Sequence, residues 1–103
     1  MSLVKLVVTV PSAQADILRE AMGKAGAGKV GNYDFCSFSS KGVGRFRPLA
    51  GAKPAVGEIN QLELVEEERI EVTCTPELLA TVVAAIREVH PYEEPAIDVY
   101  PLV

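Results

Sequence analysis

The feature that most constrains this chain is a strand-helix-strand grammar that is written twice. Val8-Thr9-Val10-Pro11 and Val72-Thr73-Cys74-Thr75-Pro76 each close an apolar run and open a helical pattern. In the first run Val4, Leu6, Val8 and Val10 alternate with Lys5 and Thr9, the period of a half-buried strand, although Leu3 and Val7 blur it. Ile17, Leu18, Ala21, Met22 and Ala25 then recur at helical spacing until Gly26 and Gly28 stop the helix. In the second half Ile70-Glu71-Val72-Thr73-Cys74 reads as a strand and Thr75-Pro76 as an N-cap followed by proline in the first turn. Leu78, Leu79, Val82, Val83, Ile86 and Val89 form one apolar helix face.

Written out, the expected elements are a strand over 3–10, a helix over 12–25, a hairpin of 30–38 and 42–47, a loop over 48–61, a strand over 62–74, a helix over 76–90 and a strand over 96–102. In the hairpin, Val43 to Phe46 pairs back on Phe35 to Phe38 across a Ser39-Ser40-Lys41-Gly42 turn. Two βαβ units of this length predict an α+β, ferredoxin-like (βαβ)2 sandwich: a four-stranded antiparallel sheet, both helices on one face, and an extra β-hairpin arm. The other sheet face then needs water, extra strands or a second chain, and Leu3, Val7 and Val65 are apolar positions left over for such a contact.

With 103 residues, 49% of them hydrophobic and 23% charged, the chain is expected to be a single domain, 1–103, with its own core. Ten Lys and Arg against fourteen Asp and Glu give a net charge of -4, which argues against nucleic acid as a partner. The apolar N-terminal run is too short to span a membrane, so no membrane partner is expected. Cys36 and Cys74 match no metal or redox spacing, which makes a reducing, cytoplasmic location the expectation.

His90-Pro91-Tyr92-Glu93-Glu94-Pro95 packs the only histidine, a phenol and two carboxylates between two prolines that restrict the backbone. His90 at a helix end is either a cap or, with Glu93 and Glu94, part of a divalent-metal site shared between subunits. Gly23-Lys24-Ala25-Gly26-Ala27-Gly28-Lys29 imitates a phosphate-binding loop, but Val30 stands where a magnesium-holding hydroxyl is needed. It also leaves a helix rather than entering one, so it reads as a helix stop. Glu63, Glu67 and Glu71 share the parity of Arg69, which predicts a solvated, ion-paired strand face. Tyr33, Phe35, Phe38 and Phe46 fit core or interface packing; alternatively they wall a small-molecule pocket in which Arg45 or Arg47 attracts an anion.

Gly31-Asn32-Tyr33-x-x-Cys36-Ser37-Phe38, Gly42-x-Gly44-x-Phe46-x-Pro48, Gly51-Ala52-x-Pro54-x-x-Gly57, Glu66-x-x-Arg69-Ile70-Glu71 and His90-Pro91-Tyr92-Glu93-Glu94-Pro95-Ala96-x-Asp98-x-Tyr100-Pro101-Leu102 run nearly end to end. In these the chain resembles the YqfO-type insert domain of the NGG-interacting-factor-like family of dinuclear-metal proteins, here standing alone. The His-x-Tyr-Glu segment is more distantly similar to CutA, whose fold resembles PII signalling proteins and whose members form trimers linked to divalent cations. The resemblance implies a CutA-like and PII-like sheet with an added hairpin and assembly through edges and arms. It carries over no metal ligand, because the family's paired metals sit in a surrounding domain.

Together these readings give a non-catalytic homo-oligomer, dimer or trimer, that binds a small molecule or a protein partner between subunits. His90, Tyr92, Glu93 and Glu94 are the leading site residues, and Tyr33, Arg45 and Phe46 the second group. The alternatives are a copper- or zinc-binding, CutA-like protein using His90, Glu93 and Glu94, and a hydrolase with His90 as general base.

Overall fold

In the computed structural model, which describes residues 2–103, four strands and two helices follow in the order β1 (Val4–Pro11), α1 (Ala15–Lys24), β2 (Phe38–Phe46), β3 (Glu63–Cys74), α2 (Leu79–Val89) and β4 (Ile97–Pro101). The strands form one sheet in the order β2-β3-β1-β4, every neighbouring pair antiparallel. This is the ferredoxin-like arrangement, with β1 and β3 at the centre.

Residues of even number on β1 and in the Ile70–Cys74 half of β3 face the helices. Leu6, Val8 and Val10 of β1 meet Ile70, Val72 and Cys74 of β3, and above them lie Ala15, Leu18 and Met22 of α1 and Val82 and Ile86 of α2. Burial of these aliphatic side chains is the main force holding the layers together. Each helix is entered through a 3-10 turn, Ser12–Gln14 or Pro76–Leu78. The expected hydroxyl cap at Thr75 is not made; its carbonyl instead accepts from Leu78 N–H at 3.1 Å.

The imitation phosphate loop is a helix terminus. Gly26 (φ +105°) takes the left-handed conformation, its N–H donating to Gly23 O at 3.1 Å while Ala27 N–H donates to Met22 O at 3.0 Å. That pair of bonds is a Schellman stop. Gly28 (φ +81°) then binds the chain to β3, its N–H donating to Thr73 O at 2.7 Å and its carbonyl accepting from Cys36 N–H at 2.9 Å. A Cβ at Gly28 would run into the Cys36 backbone.

The expected hairpin of 30–38 and 42–47 does not form. Val30 and Tyr33 close a tight turn by exchanging N–H···O bonds of 2.9 Å, and the left-handed Gly31 and Phe35 (φ +55°) break the extension. Residues 39–42, expected to turn, lie inside the continuous strand β2, with Ser39 opposite Ile70 and Gly42 opposite Glu67. The partner of β2 is therefore β3, which is long enough at 12 residues to carry the ribbon past the helices. The resulting arm makes the molecule elongated, 46 × 24 × 23 Å.

Along β3 burial changes phase. Ile70, Val72 and Cys74 are buried beneath the helices, whereas in the arm the odd residues Glu63, Val65 and Glu67 are covered and Leu64 and Glu66 are exposed. Loop 47–62 is closed on itself by Asn60 N–H donating to Pro48 O at 2.6 Å, and its Gly57 lies against the side chain of Glu63 on this odd face. On the helix-free face of the base, Lys5–Glu71 (3.7 Å) and Arg69–Glu71 (3.2 Å) ion pairs surround Val7, which is only 2% exposed. Val7, expected to await a second chain, is thus already covered within its own.

Replacing Leu18 or Ile86 with Ala, each fully buried, is expected to cost about 2–5 kcal/mol of unfolding free energy in urea titration. Gly28→Ala should destabilise comparably, because both its φ and its contact with Cys36 exclude a side chain.

Candidate functional site

The site is built around the joint between α2 and β4. Helix α2 ends where His90 turns to extended backbone (φ -71°, ψ 130°) ahead of Pro91. The ring of His90, 7% exposed, donates from Nε2 to the Thr9 carbonyl at 2.7 Å and accepts from Tyr92 N–H at Nδ1 at 3.1 Å. Since a carbonyl only accepts and an amide N–H only donates, these bonds select the neutral tautomer with hydrogen on Nε2. His90 is a staple that fastens the connection to central strand β1. To ligate a metal it would have to surrender one of these bonds.

The staple positions Tyr92, whose ring lies 5.1 Å from that of His90 and 5.7 Å, edge-on, from that of Phe46 in the arm. Its hydroxyl donates to Glu67 Oε2 at 2.7 Å. Glu67, expected on a solvated face with Glu63 and Glu71, is instead 8% exposed. The difference follows from the phase change along β3, which puts its odd residues under the returning loop and the Tyr92 segment. Its carboxylate lies directly against Gly44, where any Cβ would collide with it. Burial, and then the bond to Glu67, hold the Tyr92 phenol well above the ordinary tyrosine range.

Above this floor opens a cleft of about 670 Å³ between the arm, loop 47–56 and the segment Tyr92–Ala96. Phe46, Pro48, Leu49, Pro54, Val56 and Tyr92 supply most of its wall. Glu93 and Glu94 are exposed at its rim, and Glu93 Oε1 accepts from Lys53 N–H at 3.0 Å, pinning the loop to the joint. Arg45 and Arg47 also line it and are solvent-exposed.

Of the residues singled out by sequence, His90, Tyr92, Glu93, Glu94, Phe46 and Arg45 gather at this joint and cleft. Tyr33 does not; it is 75% exposed in the turn before β2. Glu67, Gly44 and the apolar loop residues went unrecognised. Only the Gly-x-Gly spacing in the arm hinted at a close approach. Among the described residues no three His, Cys, Asp or Glu side chains cluster to hold a metal ion.

No protein-family model matches the chain. The GTP cyclohydrolase 1 type 2 homolog of Halalkalibacterium halodurans is 54% identical over 101 residues, which are 98% of this chain and 27% of that protein. The Bacillus cereus protein related to NIF3 superposes with a TM-score of 0.85 at 48% identity, over 98% of this chain and 26% of the other. The chain is a homologue of one segment of these NIF3-like proteins. It spans about a quarter of their length. CutA of Archaeoglobus fulgidus, described as a periplasmic divalent cation tolerance protein, superposes at TM-score 0.71 and 18% identity over 97% of this chain and 83% of its own. The Bacillus subtilis GlnK–ATP complex superposes at 0.63 and 15%, over 99% and 84%. At such identities these two likenesses establish the fold alone, and they agree with the four-stranded sheet and paired helices of this NIF3-like segment.

Tyr92→Phe removes the donor to Glu67 and is expected to lower stability by about 1–3 kcal/mol at neutral pH. A phenol whose pKa is raised by folding contributes stability below its unfolded pKa of about 10 and loses it as pH rises beyond that value. The gap between wild type and Tyr92→Phe should therefore be constant from pH 7 to 9 and shrink above pH 10 in denaturant titrations.

Proposed function

We propose that this NIF3-like segment is a non-catalytic, regulatory binding module that takes a small molecule in the cleft between the arm, loop 47–56 and Tyr92–Ala96, and that it works as a homo-oligomer, dimer or trimer, in the cytoplasm. The observation that carries the reading is the cleft itself: about 670 Å³, mostly apolar, walled by the Phe46 and Tyr92 rings. That is the size and make-up of small-molecule sites in general. The reading of His90 as a general base is disfavoured, because both nitrogens of the one histidine are engaged in holding the joint.

Assembly is supported by the unpaired outer edges of β2 and β4 and by Val43, Leu62 and Leu64, which stand 58%, 78% and 56% exposed on the arm. Such edges and apolar patches favour further pairing. Two free thiols, Cys36 and Cys74, suit a reducing compartment. Leu102 N–H donates to Leu3 O at 3.2 Å, so the chain just before β1 lies beside the chain just after β4. A unit with adjoining ends can be carried inside a chain as long as its relatives without distortion.

Light scattering on a size-exclusion column is expected to give twice or three times the 11.0 kDa chain mass, and a monomer at micromolar concentration would end the assembly reading. Fragment screening by 1H–15N correlation spectra should concentrate shifts on the amides of Gly44, Phe46, Tyr92 and Ala96. Hits that cluster elsewhere would remove the cleft.

A further inference from the structure

The cleft holds a carboxyl group that makes no ion pair with any described residue, although Arg45 and Arg47 stand exposed on the same walls. Glu68 pairs with Arg19, and Glu71 with Lys5 and Arg69. Glu67, more deeply buried than either, has no ion-pair partner among the described residues, and its one hydrogen bond there comes from Tyr92. A carboxylate held at a cleft wall with no counter-charge is a ready acceptor for a cation that enters the cleft. Gly44 reinforces the point, since its missing side chain is what admits the carboxylate.

Resting on the reading of the cleft as a binding site, we infer that its ligand is an organic ammonium, an apolar body bearing a protonated amine that docks on Glu67 beside the rings of Phe46 and Tyr92. Three features agree on this chemistry. The carboxylate supplies the missing half of an ion pair and accepts N–H bonds. The two aromatic rings, 5.7 Å apart, attract a cation by their π faces. Pro48, Leu49, Pro54 and Val56 receive an apolar body. A bare metal ion fits less well, because it needs three or more protein ligands and no such cluster is present among the described residues. An anion drawn to Arg45 and Arg47 meets guanidinium groups that are already exposed and hydrated, where attraction is screened.

The test compares 2-phenylethylammonium, 2-phenylethanol and phenylacetate, three probes of one shape and different charge, by 1H–15N titration of the wild-type chain at low salt. The ammonium should saturate shifts at Gly44, Phe46 and Tyr92 and bind at least tenfold more tightly than the alcohol or the acid. Glu67→Gln, which keeps an acceptor for the Tyr92 hydroxyl, should erase that preference. If the alcohol or the acid occupies the cleft as tightly as the ammonium, the cleft stands and the ammonium assignment falls. If none of the three moves the cleft amides, both fall. The wild-type comparison decides the matter even if Glu67→Gln does not fold.

Discussion

The bond from His90 Nε2 to the Thr9 carbonyl holds the joint between α2 and β4 together. Helix α2 lies on one side of the sheet, and the chain must leave it and enter edge strand β4 beside β1. The imidazole bridges that crossing with both nitrogens, one to the centre of the sheet and one to the backbone two residues on. From there the order is mechanical. Tyr92 is set against Phe46, its hydroxyl is set on Glu67, and the loop is pinned through Glu93 to Lys53. A buried histidine with a satisfied hydrogen-bond pair is a rigid part, and it fixes the wall of the cleft that Tyr92 forms.

Strand β3 is the second organising element, because it serves two environments in one run of backbone. Toward Cys74 its even residues are packed into the aliphatic core, and toward Glu63 its odd residues lie under the loop. The two halves differ in what covers them. Helices supply a dry aliphatic layer, whereas the loop and the Tyr92 segment supply a mixture of prolines, rings and one phenol, which leaves room for a cleft and a place for a carboxylate. One ribbon thereby links the aliphatic core to an arm that is largely solvent-exposed.

Where local pattern and tertiary context agreed, the sequence was easily read. The periodicities of Val4–Val10, Leu18–Ala25, Ile70–Cys74 and Leu78–Val89 mark elements that bury one face, whereas Ile17, expected on the first helix's apolar face, is exposed. The exchange of Gly26 and Gly28 between a phosphate loop and a helix stop was resolved by order along the chain, which the Schellman bonds at Gly26 and Ala27 match. The region from Val30 to Phe46 departs from its local pattern because its alternating rings imitate a strand while Gly31 and Phe35 turn the backbone, and because glycines at 42 and 44 signal a turn as readily as a close approach. Glu67 was indistinguishable from its neighbours, since Glu66-Glu67-Glu68 carries no hint of which carboxylate is buried.

The sequence by itself determined the duplicated layers, the two helices on one face, the kinship to a segment of NIF3-like proteins, and the residues of the His90–Glu94 corner, because each of these is encoded in local spacing or in a contiguous motif. Tertiary structure alone decided that β2 pairs with β3, that the histidine is a staple with no free nitrogen, and that Glu67 faces a cleft against Gly44 and Tyr92. Those outcomes depend on contacts between residues far apart in the chain, such as Thr9 with His90 and Glu67 with Tyr92. Burial and hydrogen-bond satisfaction are properties of surroundings, and surroundings exist only once the chain has closed on itself.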